Sequence, residues 1–389
     1  MYIRDSLRKA DKRVSIAILI LLIFGSLMIV SAEMGNNVGN TSYLSLVIRH
    51  QLMYVVAGAI VYFAFLFNDF LKFRLSLYYF GYAFILVALL ACRLFGQVGG
   101  AYAWLWIGNA ISIQPSEFAK LFMIALAAKM FATDKQEKNL INFRNYAIMA
   151  VVYIFIILGY QHDLGSAVVL AIICYCVMLV PNYKEIRKFQ NYMLIGVVAA
   201  IALALLILSD PVTEFLKAHS DNYMIGRFLA AADPFLYQYD NGYHIIMSLV
   251  SFANGGLFGL GYGNSIHKYM NFPNPSNDFI LPVIVEELGI VGFVGFILVY
   301  GLMLYPIVSA SLKTKVLQTK IVLLGVFIYF CVHFILNVGG VSGLIPLTGV
   351  PILMISSGGS SLMACLGALG MAQRQLIKHK DSLDENNSR

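Results

Sequence analysis

Asn274-Pro275-Ser276-Asn277-Asp278-Phe279-Ile280-Leu281-Pro282-Val283-Ile284-Val285-Glu286-Glu287-Leu288-Gly289 sets three carboxylates, Asp278, Glu286 and Glu287, at the head of an otherwise apolar helix. Asp and Glu cost a few kcal/mol each inside hydrocarbon, so acids in a membrane segment face a cavity, a partner or a substrate path. Asp278 comes first, at the water edge, where chemistry on a lipid-linked substrate is feasible.

The rest of the chain makes that helix one of many. With 60% hydrophobic and 12% charged residues and a mean hydropathy of +0.78, the chain has too little polar surface to cover a soluble globule of 389 residues. Ten apolar runs approach the ~20-residue length that spans a bilayer core. They are residues 14–32, 51–68, 76–95, 116–132, 146–160, 163–181, 191–209, 279–305, 319–338 and 350–372. The expected fold is all-α: a polytopic membrane protein with about ten transmembrane helices, one domain over residues 1–389, and one large extracellular loop at 210–278.

Lys and Arg give the orientation. With a cytoplasmic N-terminus, the inner segments hold Arg4, Arg8, Lys9, Lys12 and Arg13, then Lys72 and Arg74, Lys135, Lys138 and Arg144. Further along the same side come Lys184, Arg187 and Lys188, then Lys313, Lys315 and Lys320, and the basic tail with Arg374, Lys378, Lys380 and Arg389. The outer segments keep Arg49, Lys217, Arg227 and Lys268, with Arg93 near a boundary. This asymmetry predicts both termini on the cytoplasmic side. The net charge of +7 is therefore a topology signal; no basic face carries interleaved aromatics, which argues against nucleic acid as a partner.

Val30-Ser31-Ala32 after a basic start resembles a signal-peptide cleavage site, but the apolar run before it exceeds a signal core, so retention is expected. The five cysteines fall inside expected spans and read as apolar packing residues rather than metal ligands or disulfides. Within the long outer loop, aromatic residues continue throughout, and the half-apolar stretch 245–258 is expected to re-enter the interface.

Four outward constellations carry candidate chemistry. Gly99 to Gly108 contains Trp104 and Trp106, and Gln114-Pro115-Ser116-Glu117-Phe118-Ala119-Lys120 follows. Pro115 suits the first helical position and Glu117 the third, and Lys120 shares a face with Glu117. The tryptophans serve equally as an interfacial belt. Gln161-His162-Asp163-Leu164-Gly165-Ser166 opens the sixth span, where Asp163 is either a helix cap or a site residue. Arg227, Asp233-Pro234 and the run Gly255 to Asn264 form the third; its glycines bring amides near a phosphate or make a tight turn. The fourth is the stretch around Asp278, a base or an N-cap.

Together these motifs resemble the SEDS family of shape, elongation, division and sporulation proteins, to which FtsW, RodA and SpoVE belong. The resemblance covers nearly the whole chain. It includes Arg49-His50-Gln51, the tryptophan motif, Gln114 to Lys120, Asp163-Leu164-Gly165, Arg227 with Asp233-Pro234, the glycine run, and Asn277-Asp278-Phe279 with Glu286-Glu287-Leu288-Gly289. Asn337-Val338-Gly339, Leu344 to Pro351 and Ser356 to Ser361 complete it. Ala103, His162 and Asn277 stand where the family often has a basic residue, a proline, and His or Thr. The start, Asp11-Lys12-Arg13 and the span that follows, looks more like FtsW than RodA.

The resemblance implies a peptidoglycan glycosyltransferase that polymerises lipid II, the undecaprenyl-pyrophosphate-linked disaccharide pentapeptide, at the outer face of the bacterial cytoplasmic membrane, in division or elongation. Asp278 is the expected base for the acceptor sugar's 4-hydroxyl. Trp104, Glu117, Lys120 and Asp163 are expected at the substrate, with Arg227, Lys268, Arg49 and Lys120 as cations for the pyrophosphate. No cofactor is required; a divalent cation would be held loosely, without a His/Cys cluster. The family implies a class B penicillin-binding protein and other divisome or elongasome membrane proteins as partners. A lipid II flippase would instead need a charged site near the midplane. A noncatalytic scaffold would tolerate changes at Asp278.

Overall fold

The computed structural model describes residues 2–35, 41–98, 100–107, 111–132, 139–207, 229, 231, 233–239, 241–270 and 274–387. Among the described residues the chain forms helices α1 (Tyr2–Lys9), α2 (Lys12–Glu33), α3 (Thr41–Phe67), α4 (Leu75–Ala91), α5 (Pro115–Phe131) and α6 (Asn139–Phe155). They continue as α7 (Leu164–Met178), α8 (Arg187–Ile207), α9 (Asn241–Gly255), α10 (Ile280–Lys313), α11 (Leu317–Val341) and α12 (Gly359–Asn387). A short antiparallel hairpin, β1 (Leu105–Ile107) and β2 (Ile111–Ile113), precedes α5. Each of the ten apolar runs meets one helix, α2 to α8 and α10 to α12. Among the described residues, six helical segments are long and apolar enough to cross a bilayer by length and composition, and α7 is a shorter apolar helix. The fold is all-helical, polytopic and membrane-spanning.

Local chemistry explains the helix starts. Asp11 caps α2 by accepting from the Arg13 amide at 3.0 Å, and Pro115 opens α5, where its missing N–H is no loss. In lipid no water competes for polar groups, so tyrosines join helices. Tyr82 and Tyr153 stack at 4.4 Å, and each donates its hydroxyl to a main-chain carbonyl of the other's helix, Met149 O and Tyr82 O. α5 is the central helix, buried along most of its length against α4, α6, α7, α11 and α12. α12 packs along α3 at close range; a Cβ on Gly370 would lie 2.4 Å from Tyr62 O.

Two apolar runs turn out to be built differently from a simple span. α10 runs for 34 residues, well beyond one bilayer crossing, and breaks at Gly289 (φ 68°, ψ −171°). Before the break, Ile280 to Glu287 are buried by protein on every side; after it, Ile290, Val291 and Leu298 are 50–67% exposed, as lipid-facing residues are. The tenth run begins with a loop rather than a helix, since α12 starts only at Gly359. Val350 and Ile352 to Ile355 are apolar because they are buried inside the protein, where irregular backbone is tolerated at membrane depth.

The stretch expected to re-enter, 245–258, is largely α9, which packs on α10 and α11. Residues 208–228 of the long loop, Arg227 among them, lie outside the described residues. The two chain ends meet at one end of the bundle: Lys9 pairs with Asp381 at 2.7 Å, and Asp11 exchanges hydrogen bonds with Gln373, N to Oε1 at 2.9 Å and Nε2 to O at 3.0 Å.

Candidate active site

The break in α10 is closed by the glycine run. In an unbroken helix the Ile290 and Val291 amides would donate to the carbonyls of Glu286 and Glu287. Here Leu260 N and Gly261 N donate to those two carbonyls, both at 2.9 Å, while Ile290 N and Val291 N turn to Gly256 O at 3.0 Å and Leu257 O at 3.1 Å. These four backbone groups thus find partners in the loop, as a water-poor setting demands. The close approach needs glycine: a Cβ on Gly255 would meet Val285 O at 2.0 Å. The amides of Leu260 and Gly261 are thereby used inside the protein, so the run acts as a tight structural turn.

Glu286 and Glu287 fasten the same loop with their side chains. Glu286, fully buried, takes His267 Nδ1 at 2.6 Å, the Ser265 hydroxyl at 2.5 Å and Asn254 Nδ2 at 3.4 Å. Glu287 takes Lys268 Nζ at 2.7 Å and the Ser31 hydroxyl at 2.6 Å, and Lys268 also donates to Ser31 at 2.9 Å. Ser31, within the cleavage-like tripeptide, is thus an internal partner of an acid 256 residues away.

Asp278 lies where the start of α10, α11 and the 342–358 loop meet. Asn337 on α11 donates to both Asp278 O and Val350 O, each at 2.8 Å, tying the start of α10 to the 342–358 loop. Gly349 in that loop has φ 68°, and a Cβ placed on it would stand 3.4 Å from Asp278 Oδ2, so the carboxylate rests over a bare backbone. One residue earlier the loop packs on α7: a Cβ on Gly165 would come within 2.6 Å of Thr348 O. Asp163 caps α7 by accepting from Ser166 N at 2.9 Å, and its other oxygen receives Gln114 Nε2 at 2.9 Å. Gln114 N in turn donates to Ser360 Oγ at 2.9 Å, which joins α5 to α12.

Below this rim, Lys120 Nζ donates to Glu117 Oε1 at 2.7 Å, Tyr329 donates to Glu117 Oε2 at 3.2 Å, and Lys120 meets His333 Nε2 at 3.4 Å. His333 Nδ1 reaches Pro351 O at 3.0 Å, back in the 342–358 loop. Asp163, Glu117, Lys120 and Asp278 are therefore linked through one loop and its supports.

The remaining expected residues are placed as follows. Trp104 is half-buried in the segment entering β1, whose start is anchored by Tyr102 N donating to Gln161 O at 2.8 Å. Arg49 is exposed on α3. Lys268 and Lys120, expected to face the leaving group, are instead buried in ion pairs with Glu287 and Glu117, with side-chain exposures of 0% and 1%. Sequence reasoning passed over Tyr329 and His333. Their signal was present: Tyr329, His333 and Asn337 recur every four residues and so mark one polar face on an apolar helix.

A broken, apolar helix with an acid at its protein-embedded head, braced by an irregular loop within the bundle, defines a polytopic membrane protein whose polar side chains gather around that loop. The chain matches the family model described as cell cycle protein, FtsW/RodA/SpoVE, over residues 12–381, and it belongs to that family. It is 31% identical over 375 residues to the probable peptidoglycan glycosyltransferase FtsW of Bacillus subtilis, covering 95% of this chain and 91% of that one. With stage V sporulation protein E of the same organism it shares 32% over 328 residues, 83% and 85% of the two chains. Among solved structures, it resembles a chain in the work described as structural coordination of polymerization and crosslinking by a peptidoglycan synthase complex (TM-score 0.72, 24% identity, 96% and 98% covered). It also resembles RodA of Thermus thermophilus (TM-score 0.63, 23% identity, 96% and 97% covered). Both likenesses concern the fold.

Proposed function

We propose that Asp278 is the general base of a peptidoglycan glycosyltransferase acting on lipid II. The chain is a peptidoglycan glycosyltransferase of the SEDS family, an activity supported by near-full-length similarity to relatives bearing that name. The observation that carries the residue assignment is the Asp278 carboxylate over Gly349, with its own backbone pinned by Asn337. Such a fixed carboxylate suits proton abstraction, which rewards position as much as basicity.

In this reading the acceptor sugar's 4-hydroxyl attacks the donor's anomeric carbon as Asp278 takes the hydroxyl proton. The bond from that carbon to the pyrophosphate oxygen breaks, and undecaprenyl pyrophosphate leaves with the electron pair. A single displacement inverts the anomeric centre, so no covalent enzyme intermediate forms. Trp104 offers an indole for a sugar face at the lipid boundary, and Asp163 with Gln114 offers polar groups along the same rim. With Lys120 and Lys268 paired internally, Arg49 and Arg227 are the cations proposed for the pyrophosphate. A divalent cation would be held mostly by phosphate oxygens; among the described residues no three His, Cys, Asp or Glu side chains stand together.

We also propose cytoplasmic termini, in keeping with the Lys/Arg asymmetry and with the two chain ends lying together. The partner proposed is a single-pass class B penicillin-binding protein, whose membrane helix would pack on a lipid-facing helix surface while its outer domain biases the long loop.

Asp278→Asn keeps the shape and removes the base. Lipid II polymerisation by the purified variant, with and without a class B penicillin-binding protein, is expected to fall about 10²-fold or more while insertion and partner binding persist. Near-normal glycan synthesis by correctly inserted variant would remove Asp278 from the mechanism.

A further inference from the structure

We propose that His333 is a positioning residue for the transfer reaction, a neutral two-ended bridge that fixes the 342–358 loop beneath Asp278. This rests on the assignment of Asp278 as base. The two neighbours of the ring dictate its state. Pro351 O at 3.0 Å can only accept, so Nδ1 carries the hydrogen; the Lys120 ammonium at 3.4 Å can only donate, so Nε2 presents its lone pair. One tautomer satisfies both, and the Tyr329 ring, edge-on at 4.9 Å, sets the plane of the imidazole. Tyr329 also donates to Glu117, which holds Lys120, so the four side chains close a ring that leaves His333 a single orientation.

What the ring holds is the floor of the site. His333 and Asn337 are one helical turn apart on α11, and they grip consecutive loop carbonyls, Pro351 O and Val350 O. Gly349, which the Asp278 carboxylate overlies, is the next residue back. Asn337 additionally grips Asp278 O, so base and floor share one clamp, and His333 supplies the second point that stops the loop from pivoting about the first. A base displaced by about 1 Å can lose a large factor in rate with little effect on binding.

The test uses the full-length purified protein and steady-state lipid II polymerisation. Gln can reproduce both contacts, its amide nitrogen donating to Pro351 O and its amide oxygen accepting from Lys120; Leu can make neither. H333L is expected to lower kcat about 10-fold or more with KM within about twofold, and H333Q to recover most of the loss. If H333L does not fold, H333N replaces it: one methylene shorter than Gln, it cannot span both partners, and it carries the same expectation. Equal kcat for wild type and H333L, or equal losses in H333Q and its non-bridging counterpart, would overturn the proposal. D278N measured alongside separates the two ideas: an active D278N removes the base assignment, whereas an inactive D278N with a fully active H333L removes only the bridge.

Discussion

Lys268 shows how a single residue's meaning depends on what surrounds it. A lysine in an outer loop reads as a cation for a phosphate, yet its ammonium is enclosed by Glu287 and Ser31. Removing one member of a buried ion pair leaves the other charge uncompensated, at a cost of roughly 3–5 kcal/mol, while replacing both by apolar groups is much milder. Lys268→Met is therefore expected to lower the melting temperature of the detergent-solubilised protein clearly, and the Lys268→Met, Glu287→Met double variant to regain part of it. Additive losses in the double variant would mean that the two residues do not act as a pair. Asp278 stands out in the sequence because it is the first of three carboxylates at the head of an apolar helix; its role as base is the proposal made above. The partners of Glu286 and Glu287 were not legible there, since Ser31 and Ser265 carry no pattern of their own and meet the acids only through tertiary folding.

At the scale of elements, a helix at each apolar run was legible because hydrocarbon favours long apolar helices, whereas six rather than ten of the described segments reach spanning length by themselves. The break in α10 was not legible, because Gly289 inside an apolar run is as compatible with a continuous helix as with a kink. Its role is set by the glycine run that supplies the missing hydrogen-bond partners. A Cβ on Gly289 would stand 2.3 Å from Leu257 O at φ 68°. Gly289→Ala is accordingly expected to destabilise by more than the ~1 kcal/mol of ordinary helix-propensity changes and to speed hydrogen exchange in residues 255–261. Unchanged exchange there would disconnect loop from kink. The start of α2 makes a pH-dependent prediction. Burial pushes the Asp11 carboxyl up, but the Arg13 hydrogen bond and the Lys380 and Arg13 charges outweigh it and hold the group below its ordinary value. A carboxylate lowered in the folded state contributes stability above its unfolded pKa of about 4 and loses it as pH falls through the folded value. Melting temperatures from pH 6 to pH 3 should drop further for the wild type than for Asp11→Asn; parallel curves would remove Asp11 as a contributor.

For the molecule as a whole, charge distribution predicts sidedness and the fold supplies the means to check it. Tyr239 is 95% exposed in the long loop. A single cysteine there is expected to react with a membrane-impermeant maleimide added outside intact cells; labelling only after the cytoplasmic side is opened would reverse the topology. The contacts between α1, α2 and α12 carry a different implication. Because Lys9 and Asp11 hold Asp381 and Gln373, the first and last described helices stand side by side. Circular permutation should then be possible in a polytopic protein. A short linker would join the present ends, and new ones would be cut between the exposed Lys184 and Glu185, on the face that the charge pattern assigns to the same side.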